Sequence, residues 1–262
     1  MKSFSFKLVL FSLVSGGFLS FFIGKKTTNA AIQSPKIEDL KSAHAAQGVA
    51  VLELYTSEGC SSCPAADDVL RGMGAQENVF PLAFHVTYWN RLGWKDSFSQ
   101  KVFDERQYSY GTRFQKDGVY TPQLVVNGID EFVGSRKSQA ENAIKKALAT
   151  PTSIQIELVK TLKNNDIAVN YKLKGDVTNA QVNFVVVESN FTTKVMRGEN
   201  EGRTLKHDNV VRDFETLETK NTEGAHEIHP LKNWQLQNCA LVVFVQDKKT
   251  GQVLGASKIS LH

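Results

Sequence analysis

After residue 23 the sequence contains no further apolar run long enough to cross a bilayer, and it lacks both a G-x-x-x-x-G-K-[ST] phosphate loop and a G-x-S-x-G nucleophile elbow. The first absence leaves nothing to hold the body of the chain inside a membrane. The other two remove the usual signatures of P-loop nucleotide chemistry and of an α/β-hydrolase serine. Surplus charge is missing too. The formal net charge is +4, but Lys2, Lys7, Lys25 and Lys26 lie in the first 30 residues, which hold no acid. Removing these four from the 31 basic residues leaves 27, equal to the 27 acids, so a nucleic-acid partner has no electrostatic basis. Cysteine is scarce at three residues, and no internal repeat is present. With 41% hydrophobic and 22% charged residues, the 262-residue chain has the composition of folded protein and the length for two domains.

Lys2 and Lys7 precede an apolar stretch over residues 8–23 that is short for a bilayer crossing and suits a signal peptide. Residues 1–30 are therefore read as a signal peptide, with an uncleaved N-terminal membrane anchor as the alternative. Either exports the body, giving a periplasmic or secreted location in an oxidising compartment where a cysteine pair persists as a disulfide. Residues 31–48 form a polar connection with a short helix expected over 37–46.

The most informative stretch is 49–73. Val51, Leu52, Leu54 and Tyr55 form a β-favouring run, followed by Thr56-Ser57-Glu58-Gly59-Cys60-Ser61-Ser62-Cys63-Pro64 and then helical spacing over 65–73. Gly59 permits the turn, and Pro64 suits a first helical turn, where its missing N–H has no partner to lose. This places Cys60 at or just before a helix N-terminus, where free amides and the helix dipole favour a thiolate, with Cys63 in reach as the resolving thiol. The motif is open to redox exchange, a static disulfide or metal capture.

Residues 79–86 read as a buried strand. Tyr88, Trp89, Trp94, Phe98, Phe103, Tyr108, Tyr110 and Phe114 then crowd together, with a helix over 97–114 capped near Asp96 or Ser97. These aromatics are read either as a packed subcore or as a wall over the cysteines that selects substrate. Thr121-Pro122 directly before a strand suggests a cis bond, Asn127-Gly128 a hairpin turn, and residues 135–149 a helix. The resulting order is strand-helix-strand-helix-strand-strand-helix.

From Pro151 the pattern becomes alternating. Ile154, Ile156 and Leu158, then Ile167, Val169, Tyr171 and Leu173, with apolar runs at 182–187 and 241–245, predict an antiparallel sandwich. The polar segment 198–212 is either a loop organised by its own ion pairs or the lining of a cleft. Residues 219–230, with His226 and His229, read as an exposed loop, and Cys239 as a buried free thiol.

Residues 54–64, His85-Val86-Thr87-Tyr88-Trp89-Asn90, Leu92-Gly93-Trp94-Lys95-Asp96 and Gly118-Val119-Tyr120-Thr121-Pro122-Gln123 together resemble a secreted bacterial thioredoxin-like family catalogued as domain of unknown function 1223. The segment 198–212 resembles that family's second characteristic stretch. The resemblance runs from about residue 49 to the C-terminus. It implies an α/β plus all-β chain: a thioredoxin-like domain over 49–150 followed by a β-sandwich-like domain over 151–262. By this resemblance Cys60 matches an exposed nucleophile, Cys63 the resolving thiol and Pro122 the cis-proline facing them. Thr87 and Asn90 stand where the family pattern carries acids, so any role of those acids does not transfer. The Trp-Cys-Gly-Pro-Cys form of thioredoxin is missing, so general reductase activity does not transfer either.

The expected function is thiol–disulfide exchange on protein or peptide cysteines, without a cofactor or metal. Cys60, Cys63 and Pro122 would carry it, and Thr121, Trp89, Trp94, Arg203 and His207 would line a substrate groove onto which the Cys60 sulfur opens. The competing expectation is an exported binding or copper-handling module in which the cysteines brace a scaffold, or bind a soft metal with His85.

Overall fold

The computed structural model describes residues 47–163, 166–218 and 221–262. The leader and the helix expected over 37–46 lie outside the described residues. Strand β1 (Ala50–Thr56) is buried along its whole length, Glu53 included, on both sides of the β-favouring run Val51, Leu52, Leu54 and Tyr55. Helix α1 (Cys63–Met73) returns the chain to β2 (Val79–His85), which lies parallel to β1 with Thr56 opposite His85. After α2 (Lys101–Arg113) come β3 (Gln123–Val126), antiparallel to β1, then β4 (Asp130–Val133) and α3 (Lys137–Ala149). The β3–β4 turn places Asn127 and Gly128 at φ 48° and 70°, the left-handed region that an Asn-Gly hairpin supplies. The Thr121–Pro122 peptide is cis, as expected.

Helix α2 starts four residues later than the expected Ser97. The Asp96 carboxylate accepts the Phe98 N–H at 2.9 Å, and the Asp96 carbonyl accepts the Ser99 N–H, so residues 96–99 form a turn of their own.

Alternation along β1 splits its side chains between two cores. Ala50, Leu52 and Leu54 pack with Leu70 of α1 and Ile144 of α3, while Val51 and Tyr55 pack with Phe84, with Phe103 of α2 and with residues from the second half of the chain. That half contributes β5 (Gln155–Lys163), β6 (Asp166–Lys174), β7 (Ala180–Glu188), β8 (Phe191–Lys194), β9 (Thr204–His207), β10 (Val210–Glu218), β11 (Glu223–Ile228), β12 (Cys239–Asp247) and β13 (Val253–Ser260).

The two halves are joined by hydrogen bonds. Among the described residues one eight-stranded mixed sheet runs β13-β12-β7-β10-β2-β1-β3-β4. Its junction is a single parallel pairing of Val210 with Ala83, where the Ala83 N–H donates to the Asn209 carbonyl at 2.8 Å. Without β10, the apolar strand β2 would leave an open edge. The expected boundary at 150/151 falls between α3 and β5, yet Val185, Val211 and Phe244 share a core with Tyr55 and Phe84 across it. A sandwich-like second layer is present: the antiparallel sheet β11-β6-β5 packs Ile167, Val169 and Tyr171 onto Phe184, Leu241 and Val243.

The expected exposed loop at 219–230 is instead largely strand β11, with 219–220 outside the described residues. Its alternation turns His226 and Ile228 inward, and the His226 ring stacks 4.1 Å from Phe184. His229 stays exposed beside Asp166. Cys239 is free and buried, its thiol pushed up to about 12 by burial and the Glu188 carboxylate. Among the described residues no helix is long and apolar enough to cross a membrane.

Candidate functional site

The chain leaves β1 at Thr56 and reaches α1 through the cysteine loop. Cys60 and Cys63 are joined as a disulfide, with Ser62 preceding the first helical residue and Pro64 in the first turn. The Cys60 sulfur lies 3.3 Å from Ser62 Oγ. Both cysteines are enclosed, at 1% and 0% exposure, which corrects the expectation of an exposed nucleophile. The loop is held from the second half of the chain by Asn200, itself buried, whose Nδ2 donates to the carbonyls of Glu58 and Cys60. The groove onto which Cys60 was expected to open is closed here.

Around this loop the structure gathers a buried polar cluster from five segments. Glu58 comes from the cysteine loop, Asp67 from α1, His85 from the end of β2, Asp96 from the turn before α2, and His207 from the end of β9. Asp67 stands four residues after Cys63, on the same face of the helix. His85 Nδ1 meets Asp96 Oδ2 at 2.7 Å with both side chains out of solvent. Burial opposes charge on His85, but the adjacent Asp96 carboxylate holds its pKa above the ordinary histidine value. Asp96 is also desolvated, yet His85 and the N–H groups of Glu58 and Phe98 keep it below the usual carboxylate range. Burial lifts the Asp67 carboxyl, against the pull of His85 and His207.

The cluster has spare bonding capacity. Glu58 Oε1, His85 Nε2 and His207 Nε2 are buried without a hydrogen-bond partner among the described residues, and Asp67 has Thr56 beside it. His207 Nε2 is 3.2 Å from Glu58 Oε1, within ion-pair range but outside hydrogen-bond geometry. Buried polar atoms are paired in the great majority of cases, so those left without a partner beside the cysteine loop set it apart from the surrounding core.

The residues expected to line a groove are brought to this loop. Gly59 lets Trp89 approach, since a Cβ there would sit 3.1 Å from the Trp89 Cβ, and Trp89 Nε1 donates to Thr121 Oγ1 at 2.8 Å. Trp94 Nε1 donates to Glu58 Oε2 at 2.8 Å. Arg203 Nη1 donates to Asn200 Oδ1 at 2.8 Å. Pairing of Tyr55 with Gln123 puts Pro122 at the end of β1 from which the cysteine loop departs. The aromatics divide: Phe103 and Tyr110 are core, Tyr108 is exposed, and Trp89 and Trp94 flank the cysteines.

Thr87 and Asn90 anchor the Trp89 loop. The N–H and hydroxyl of Thr87 donate to Asp104, and Asn90 accepts the Asp96 N–H while donating to Ser99. Sequence reasoning missed the joint role of Glu58, Asp67, Asp96 and Asn200; the signal within reach was the i, i+4 spacing of Cys63 and Asp67. His85 spends Nδ1 on Asp96, and among the described residues no three of His, Cys, Asp and Glu are arranged to hold a metal ion.

The family model described as "Protein of unknown function (DUF1223)" matches residues 51–246, a span containing every member of the cluster. The chain belongs to that family. Among solved structures, this family member is similar to protein AGR_C_4864 from Agrobacterium tumefaciens at 27% identity and a TM-score of 0.60, over 84% of this chain and 97% of that one. It is also similar to HBP35 of Porphyromonas gingivalis at 15% identity and a TM-score of 0.57, over 83% and 76% of the two chains, a likeness of fold alone. No curated protein matches it.

Proposed function

We propose that the protein is an exported thiol–disulfide oxidoreductase acting on cysteines of proteins or peptides. The observation that carries this reading is the Cys60–Cys63 disulfide at the start of α1 beside a buried cluster of proton-carrying groups with unfilled bonding capacity. A thioredoxin-like unit is supported by the element order over 50–149, and export by Lys2 and Lys7 ahead of the apolar stretch.

In the oxidising direction a substrate thiolate attacks Cys60 Sγ, the bond to Cys63 breaks, and its electron pair leaves on Cys63, which takes a proton. A second substrate thiolate then attacks the substrate sulfur of the mixed disulfide and releases Cys60. The substrate dithiol becomes a disulfide and the enzyme becomes a dithiol; the reverse sequence reduces a substrate. Cys63 is enclosed, so on this reading its proton comes from within the site, and Asp67, one helical turn further along the same face of α1, is the candidate donor.

Trapping tests the proposal. Cys63→Ser expressed with its leader should accumulate mixed disulfides through Cys60, and Cys60→Ser/Cys63→Ser should accumulate none. Equal capture by the two variants rejects exchange.

The burial of both sulfurs favours a second reading, in which the disulfide is a static brace. That reading expects reduction to lower the melting temperature by several degrees with no partner captured.

A further inference from the structure

A distant turn of the same chain is bonded to the cysteine loop, and its contacts are chemically specific. Residues 195–203 connect β8 to β9. The Gly202 N–H donates to the Val195 carbonyl and the Val195 N–H to the Arg203 carbonyl, and Gly198 and Gly202, at φ 81° and 79°, let the tip double back. At that tip Glu199 Oε2 accepts the Ser61 N–H at 3.0 Å and the Ser61 hydroxyl at 2.7 Å. Asn200 Nδ2 donates to the Glu58 carbonyl at 2.9 Å and the Cys60 carbonyl at 2.8 Å. The cysteine loop thus offers an amide and a hydroxyl to a carboxylate, and two carbonyls to N–H donors. A bound peptide would use the same set.

The surroundings favour an occupant of one sign. Ser61 precedes α1, where free amides and the helix dipole attract an anion, and those Ser61 contacts hold the Glu199 carboxyl below the usual range. Exposed Arg91 and Lys95 belong to the loop that abuts the turn: a Cβ on Gly198 would lie 3.7 Å from Trp94 Cβ, and one on Gly93 4.0 Å from Arg197. The base of the hairpin is fastened separately, by Arg71 to Asp208 at 2.7 Å and to the Lys206 carbonyl at 2.8 Å. Around Gly202 there is open space. The bonds of the tip to the cysteine loop are thus separate from those that fasten the base.

We propose that residues 198–202 are an internal stand-in for substrate: they occupy the peptide-binding face of the cysteine loop and yield it to an acidic cysteine-bearing segment that places a carboxylate on Ser61 and N–H donors on the Glu58 and Cys60 carbonyls. This rests on the exchange reading above and names its substrate class and its gate.

The test measures mixed-disulfide formation on the oxidised full chain. The thiols are two cysteine peptides of equal length, one flanked by Glu and one by Lys, with 2-mercaptoethanol as a small neutral thiol. In each case the thiolate attacks Cys60 Sγ and Cys63 leaves. The Glu peptide should react about tenfold faster than the Lys peptide at low salt, with the ratio shrinking as salt rises. Glu199→Ala, at an exposed position where folding is not at stake, should raise the Glu-peptide rate about threefold or more, and Asn200→Ala should raise it further, with smaller effects on 2-mercaptoethanol. Equal peptide rates or a preference for Lys overturns the acidic substrate class. Unchanged rates in both variants overturn the stand-in. Trapping through Cys60 in the Cys63→Ser experiment, alongside either failure, leaves exchange standing and removes only this inference.

Discussion

Glu53 and Glu58 are five residues apart, each 1% exposed, and the protein treats them differently. On the inner face of β1, Glu53 receives Arg106 through Nε at 2.5 Å and Nη2 at 2.9 Å, with the Tyr110 hydroxyl at 2.6 Å and that of Tyr55 at 3.3 Å. Arg106 is packed over the Phe214 ring, 4.6 Å from its centre. Both Glu53 oxygens are bonded and the charge is matched. Past the end of the same strand, Glu58 receives Trp94 on one oxygen and leaves the other facing His207 without a bond. A buried charge with every lone pair engaged fixes one packing arrangement. A buried set with capacity left over is less stable than it would be if completed, and such sets cluster at functional sites.

The largest expected effect breaks the completed member of this pair. Arg106→Met strands the Glu53 carboxylate in the core and should cost about 3–5 kcal/mol in urea unfolding. On the proposed exchange function, the Cys60 exchange rate of the remaining folded protein should be unaltered. A loss below about 1 kcal/mol would mean that Glu53 is not held by its cation, and a collapse of exchange would mean that the two clusters act as one.

Asp96→Asn sharpens the other side. His85 has a raised folded pKa, so its pairing stability is fully present below the unfolded histidine value of about 6.5 and is lost as pH rises through the folded value. Asp96 has a lowered folded pKa, so its share is present above about 3.9 and is lost as pH falls through the folded value. The substitution should therefore cost about 1.5–3 kcal/mol near pH 6 and progressively less above the His85 transition. A penalty that does not vary between pH 6 and 9 would show that His85 is not the titrating partner.

The smallest effect is Trp94→Phe, which removes the one aligned side-chain bond to the Glu58 carboxylate at a cost of about 1 kcal/mol. By loosening the wall beside residues 198–202 it should also raise peptide access to Cys60. Melting and exchange measured on the same preparation check both, and a change in stability without a change in access confines Trp94 to packing.

Local chemistry in the sequence was enough to define the Cys60-to-Pro64 turn into α1, the Asn127–Gly128 hairpin, the cis Thr121–Pro122 peptide, the apolar alternation of β6 and the continuous apolar run of β7. Each depends on a few adjacent residues with restricted backbone or side-chain options. The start of α2 and strand β11 were misread because side chains from distant segments decide them: Asp96 is drawn to His85, and His226 is drawn inward by Phe184. The site followed the same division. Cys60 and Cys63 could be paired from their spacing and Pro122 was joined to them by the family resemblance, whereas the meeting of Glu58, Asp67, His85 and Asp96 needs the packing of β1, α1 and β2, and His207 reaches them only when β10 joins β2. The hydrogen bonds of Asn200 to the Glu58 and Cys60 carbonyls are decided by long-range pairing, because contacts spanning some 140 residues leave no periodicity in the chain that makes them.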